Sequence, residues 1–181
     1  TQHGNLLSSG NIALDATTTI DFDGTIGATT SIGGDLSIGT NTTTANVDLA
    51  DAVSVDGLIS ITGANVLVGG AMSADANTAG NEALTISATD AAANTLTVNN
   101  SLTTNSGAIT LSAKDDIIFG VSGSLASNNG NIGVTADSDS TTAGSGGAIT
   151  MANGATIDSG TGTITLTADE SVALGAVTTT N

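Results

Sequence analysis

The chain of 181 residues contains no Cys, Pro, Trp or Tyr, and only two Phe. Without Cys there is no disulfide framework, no thiol nucleophile and no thiolate metal site. A single cation, Lys114, stands against 17 carboxylates, and the formal net charge is −16. Such a field repels phosphate backbones and anionic head groups, which argues against nucleic acid or a membrane surface as the main partner. No apolar run approaches the ~20 residues that a membrane-spanning helix requires. Hydrophobic residues still make up 39% of the chain while aromatics make up 1%, so the apolar mass is Ala, Val, Ile and Leu.

An acidic chain rich in Thr, Ser, Gly and Asn has a disordered alternative, because such compositions often bury too little apolar surface to fold. The branched aliphatics argue against it. They are spread along the whole chain in short alternating runs: Ile-Ser-Ile at 59–61, Leu-Thr-Ile at 84–86, Ile-Thr-Leu at 109–111 and 164–166. Two apolar side chains two residues apart define one face of a strand. Thr, Val and Ile favour extended backbone, and the runs are bounded by Gly, Asn, Ser and Asp, which suit turns. Helical spacing is not sustained anywhere.

The runs repeat. A Gly or a small polar stretch precedes a strand at Gly10, Gly34, Gly57, Glu82, Gly107, Gly130 and Gly162, at intervals of 24, 23, 25, 25, 23 and 32 residues. Each interval holds three parts. The first strand offers the inward pairs Ile12/Leu14, Leu36/Ile38, Ile59/Ile61, Leu84/Ile86, Ile109/Leu111, Ile132/Val134 and Ile164/Leu166. The second offers Ile20/Phe22, Val47/Leu49, Val66/Val68, Leu96/Val98, Ile117/Phe119, Ile149/Met151 and Val172/Leu174. The third carries one main apolar residue: Ile26, Val53, Met72, Leu102, Leu125, Ile157 or Val177. The 32-residue interval fits if residues 137–147 are a loop inserted between strands one and two.

A three-strand unit of this size cannot bury its apolar face alone and must stack on its neighbours. The predicted fold is all-β: a right-handed parallel β-helix of about seven three-strand coils, one of them carrying the 137–147 insertion. Right-handedness follows the strong bias of parallel crossovers. At ~4.8 Å per coil the rod is roughly 34 Å long. A β-sandwich is the alternative, although it predicts no three-part repeat. In a narrow coil Phe22 and Phe119, four coils apart, are expected as core residues with smaller neighbours above and below.

Residues 4–9 read as the third strand of a preceding coil, and 175–181 stops where another coil would begin. Solenoids need caps over their terminal coils, so residues 1–181 are expected to form one solenoid segment belonging to a longer array.

Chemistry is sparse. His3 lies at the chain's start, and no Arg is present to bind a substrate carboxylate. Ser and Thr lack a base placed to activate them, and Gly144–Gly147 lacks the Lys and helix of a phosphate loop. No catalytic residue, cofactor-binding residue or metal ligand is assigned, no cofactor is expected, and the chain is read as no enzyme. The turn after strand one stacks Lys114, Asp137 and Asp169, with Asp115 and Glu170 next to them and Asp139 and Asp90 near the same edge. Oxygens on successive coils could hold Ca²⁺, whereas the plainer reading is a solvated acidic edge with Lys114 offsetting Asp137. Ice binding needs Thr-x-Thr in register on many coils. On the third strand Thr103, Thr178 and Thr180 alternate with Ala126, Ser73 and Ser54, so that ladder is expected to be broken.

The motifs Gly-Ala-Ile-Thr-Leu-Ser-Ala-Lys-Asp-Asp (107–116), Gly-Thr-Ile-Thr-Leu-Thr-Ala-Asp-Glu (162–170) and Gly-Ala-Val-Thr-Thr-Thr-Asn (175–181) resemble the repeats of filamentous haemagglutinin-like bacterial exoproteins. The resemblance covers nearly the whole chain. It implies a structural shaft of a secreted or surface-anchored adhesin, located outside the cell or on the bacterial surface. Its implied partners are neighbouring coils, copies of itself, or a host surface or matrix ligand bound through regions outside this chain. The Asn-Pro motifs of the family's secretion domain are absent. A second expectation is an extracellular fibre built by head-to-tail stacking of open coil ends. A chain without Cys suits an oxidising exterior, and dense negative charge discourages sideways pairing of sheets.

Overall fold

The computed structural model describes residues 6, 8–16, 19–22, 33–39, 46–75, 80–89, 94–138 and 146–180. Among them there is no helix, and every strand pairing is parallel. First strands form one seven-stranded sheet: Ile12–Leu14, Leu36–Ile38, Ile59–Gly63, Leu84–Ala88, Ile109–Ala113, Ile132–Thr135 and Ile164–Thr167. Second strands form another seven-stranded sheet: Thr19–Phe22, Asn46–Leu49, Val66–Val68, Leu96–Val98, Ile117–Phe119, Ala148–Met151 and Ser171–Ala173. Third strands form a six-stranded sheet: Val53–Ser54, Met72–Ser73, Ser101–Thr103, Ser124–Ala126, Thr156–Asp158 and Ala176–Thr178. The chain is a right-handed parallel β-helix.

The columns lie where the repeat places them. Ile12, Leu36, Ile59, Leu84, Ile109, Ile132 and Ile164 are successive register partners in the first sheet. Ile20, Val47, Val66, Leu96, Ile117, Ile149 and Val172 are partners in the second. Val53, Met72, Leu102, Leu125, Ile157 and Val177 are partners in the third. Ile26 lies outside the described residues. Alternation places each of these side chains inside, where strand residues i and i+2 share a face. From Leu36 to Ile157 they are almost wholly buried.

Phe119 is fully buried, with Val98 as its partner on one side and Met151 on the other. The small Val and the unbranched, adaptable Met make room for the ring. Phe22 pairs with Leu49 through the backbone, and its side chain lies outside the described ones.

Two features of the core exceed the sequence reading. At the end of the first strand a third inward position is filled by Gly63, Ala88 and Ala113 in register, with Ala136 buried in the next coil. Here the backbone turns toward the second strand, and only a small side chain fits inside the corner. The glycines before the first strands have a different cause. A Cβ on Gly107, Gly130 or Gly162 would strike the backbone of the preceding coil, at Glu82, Gly107 and Gly130 respectively. Glycine is therefore required by close backbone approach.

Candidate functional site

Corners, where the sheet ladders are interrupted, must satisfy their backbone groups by other means. The turn from third strand to next first strand does so with a buried hydroxyl. Thr104, Ser127 and Ser159 begin the four-residue turns that end at Gly107, Gly130 and Gly162. Their hydroxyls donate to those glycines' carbonyl oxygens at 2.6, 2.5 and 2.6 Å. The N–H groups of Gly130 and Gly162 donate back to the carbonyls of Ser127 and Ser159. In two earlier coils the same column is apolar, with Val55 and Ala74 donating their N–H to Ser73 and Thr103.

Asn and Asp side chains bracket this same corner and the one after the first strand. The Oδ1 atoms of Asn11, Asp35 and Asn131 accept the N–H of Asp35, Leu58 and Thr163 at 3.0, 3.1 and 2.9 Å. Asn65 Oδ1 accepts the N–H of Thr95 at 3.0 Å. Each side chain reaches one coil along the stack, so these polar residues are structural brackets.

The acidic edge is built at the neck of the insertion. The first strand ends at Thr135 and the second begins at Ala148, so the insertion does lie between them; residues 139–145 fall outside the described ones. Asp137 turns the backbone out of the ladder with φ 56°, and Ser138 donates to the Ala113 carbonyl at 2.9 Å. The chain returns through Gly146 and Gly147, both at positive φ (113° and 96°). Asp116, not singled out from sequence, is the anchor here: its Oδ1 accepts the N–H of Gly147 at 3.1 Å and of Ala148 at 2.9 Å. A Cβ on Gly146 would collide with the Asp115 carboxylate, and one on Gly147 would press on the Cβ atoms of Asp137 and Asp169.

The structure thus gathers Asp115, Asp116, Asp137 and Glu170 around one neck. Burial, followed by the charges of Asp116, Glu170 and Asp137, raises the Asp115 carboxyl above its ordinary value. Asp169 is exposed beside them. Among the described residues, no group of three or more His, Cys, Asp or Glu side chains is placed to hold a metal ion. His3, Asp90 and Asp139 lie outside the described residues.

The outer faces of the three sheets differ. On the third sheet the outward column reads Ser54, Ser73, Thr103, Ala126, Asp158, Thr178, a broken ladder as expected. Two of its hydroxyls are turned back onto the stack: Thr103 Oγ1 donates to the Met72 carbonyl and Thr178 Oγ1 to that of Ile157. On the second sheet the last five outward residues are Leu67, Thr97, Ile118, Thr150 and Ala173. On the first sheet the same five coils present two columns, Ser60–Thr85–Thr110–Gly133–Thr165 and Thr62–Ser87–Ser112–Thr135–Thr167. Sequence reading sought a hydroxyl ladder on the third strand and missed this one. Its signal was present in the Thr or Ser between the aliphatics of Ile-Ser-Ile, Leu-Thr-Ile and Ile-Thr-Leu.

No family model, curated protein or solved structure matches the chain.

Proposed function

We propose that the chain is a structural shaft segment of a secreted or surface-anchored bacterial adhesin, with no catalytic role. The observation that carries this reading is the unbroken run of in-register apolar columns through seven coils. A repeat held only by its neighbours lengthens a rod by a fixed step per coil, and length is what a shaft supplies. The abundance of Ser, Thr and Asn outside, the lack of Cys and the charge of −16 suit an exposed extracellular surface. The motif resemblance to filamentous haemagglutinin-like exoproteins points the same way. An antibody against the chain should label intact cells of the producing organism or their medium. Labelling that requires lysis would contradict the proposal.

A further inference from the structure

We propose that Asn153 is a site of spontaneous covalent modification. Its side-chain amide is exchanged for a carboxylate through a cyclic imide closed with the backbone nitrogen of Gly154, and the fold directs this reaction to Asn153 while shielding Asn129. The chain contains two Asn-Gly pairs, Asn129-Gly130 and Asn153-Gly154. In both, the residue after Asn has no Cβ to crowd the attacking nitrogen or to restrict the rotation that brings it to the side chain. The structure treats the two pairs in opposite ways.

Asn153 and Gly154 are the central residues of the turn between the second strand Ala148–Met151 and the third strand Thr156–Asp158. The Ala155 N–H closes that turn on the Ala152 carbonyl at 3.0 Å. Asn153 and Gly154 are both exposed. Among the described residues, none is hydrogen-bonded to the Asn153 amide or to the Gly154 N–H. The corner also demands the glycine: its φ is 106°, and a Cβ there would lie 2.9 Å from the Val121 carbonyl oxygen. The reactive neighbour is therefore built into the fold.

Asn129 is exposed too, but its Oδ1 accepts the N–H and the Oγ1 hydroxyl of Thr161 in the next coil, at 3.1 and 3.0 Å. Gly130 is buried, donates its N–H to the Ser127 carbonyl at 3.1 Å and lies close against the Gly107 backbone. Reaction at this pair requires the coil contact to open first. Giving up these hydrogen bonds beforehand slows it by roughly tenfold or more.

The reaction balances with water as the only co-reactant. The Gly154 nitrogen loses its proton and bonds to Asn153 Cγ, the Cγ–Nδ2 bond breaks, and ammonia leaves with that proton. Water then adds to one of the two imide carbonyls. Opening at Cγ leaves aspartate. Opening at the main-chain carbonyl leaves isoaspartate, in which the backbone runs through Cβ and Cγ and the turn gains a methylene. Either product places a further carboxylate on this corner.

The test ages the native chain in mildly alkaline buffer, digests samples with a protease of broad specificity and reads the peptides by mass spectrometry. Enzymatic methyl labelling of isoaspartate identifies the imide route. The peptide holding Asn153 should convert from amide to acid at least about tenfold faster than the one holding Asn129, and it should take up the label. In denaturing urea the two rates should converge, because only the fold separates them. An Asn153 amide that survives ageing, or that converts without label, would overturn the proposal. Equal rates in the native chain would overturn it as well, as would a difference that persists unchanged in urea.

Discussion

The coil that begins at Ile109 and the coil that begins at Ile164 open on the same three residues, Ile-Thr-Leu, and occupy the same register, yet their interiors differ. Ile109, Leu111, Ile117 and Leu125 are fully buried. Their counterparts Ile164 and Leu166 are half-buried, and Val172 and Val177 are exposed. A coil therefore has no inside of its own. Its burial is supplied by the coils on either side, which makes stability a sum of nearest-neighbour interfaces rather than a property of the repeat.

The largest effect expected from this contrast is at Leu111. Truncation to Ala should cost about 2–5 kcal/mol, the range for a close-packed core site that leaves a cavity. Leu166→Ala, in the same column position but covered on one side, should cost roughly half as much, because part of its surface already meets water. Urea unfolding of both variants measures the ratio. Equal costs would mean that each coil buries its own residues.

A second pair sharpens the account at the backbone. Gly130 and Gly133 lie three residues apart in one coil, but a Cβ on the first meets the Gly107 backbone while one on the second meets nothing within 4 Å. Gly130→Ala should destabilise by about 1–3 kcal/mol, as overpacking does. Gly133→Ala should stay within ~0.5 kcal/mol of the native chain. Thermal melts of the two proteins suffice, and similar losses would contradict the close coil-to-coil approach at the corner.

The smallest effect is electrostatic, at the insertion neck, which the coil beginning at Ile109 shares with its neighbours. The folded value of Asp115 is raised by burial and by Asp116, Glu170 and Asp137. The group therefore favours the fold most when protonated, below the ordinary carboxylate value, and that contribution is lost as pH rises through the raised one. Asp115→Asn should raise the melting temperature slightly at neutral pH, and the gain should vanish in acid. A gain that persists at low pH would assign the effect to packing instead.

The aliphatic columns were legible in the sequence because Ile, Leu and Val at alternate positions have one economical explanation, a shared buried face. Residues with several structural uses were not. Ala88 and Ala113 fill an inner corner, but Ala also occurs outside, at Ala13 and Ala173, so type alone carries no position. Ser127 is a buried turn hydroxyl and Ser112 an outer one, and only the register tells them apart. The acidic edge was located, yet its organising residue, Asp116, emerged only with the backbone N–H groups it holds. Coil stacking turns short polar side chains into brackets between residues 19 to 32 positions apart, a relation invisible in local pattern.

The continuous winding is tested most directly by a distance along one column. The chain has no Cys, so Ser60→Cys and Thr165→Cys create the only two attachment points for spin labels. These positions are separated by four parallel pairings, Ser60–Thr85–Thr110–Gly133–Thr165. Pulsed electron paramagnetic resonance should give one narrow distribution centred near 19 Å, four interstrand steps at ~4.8 Å each, broadened only by the label tethers. A broad distribution, or one centred well beyond that separation, would contradict the stacked coil.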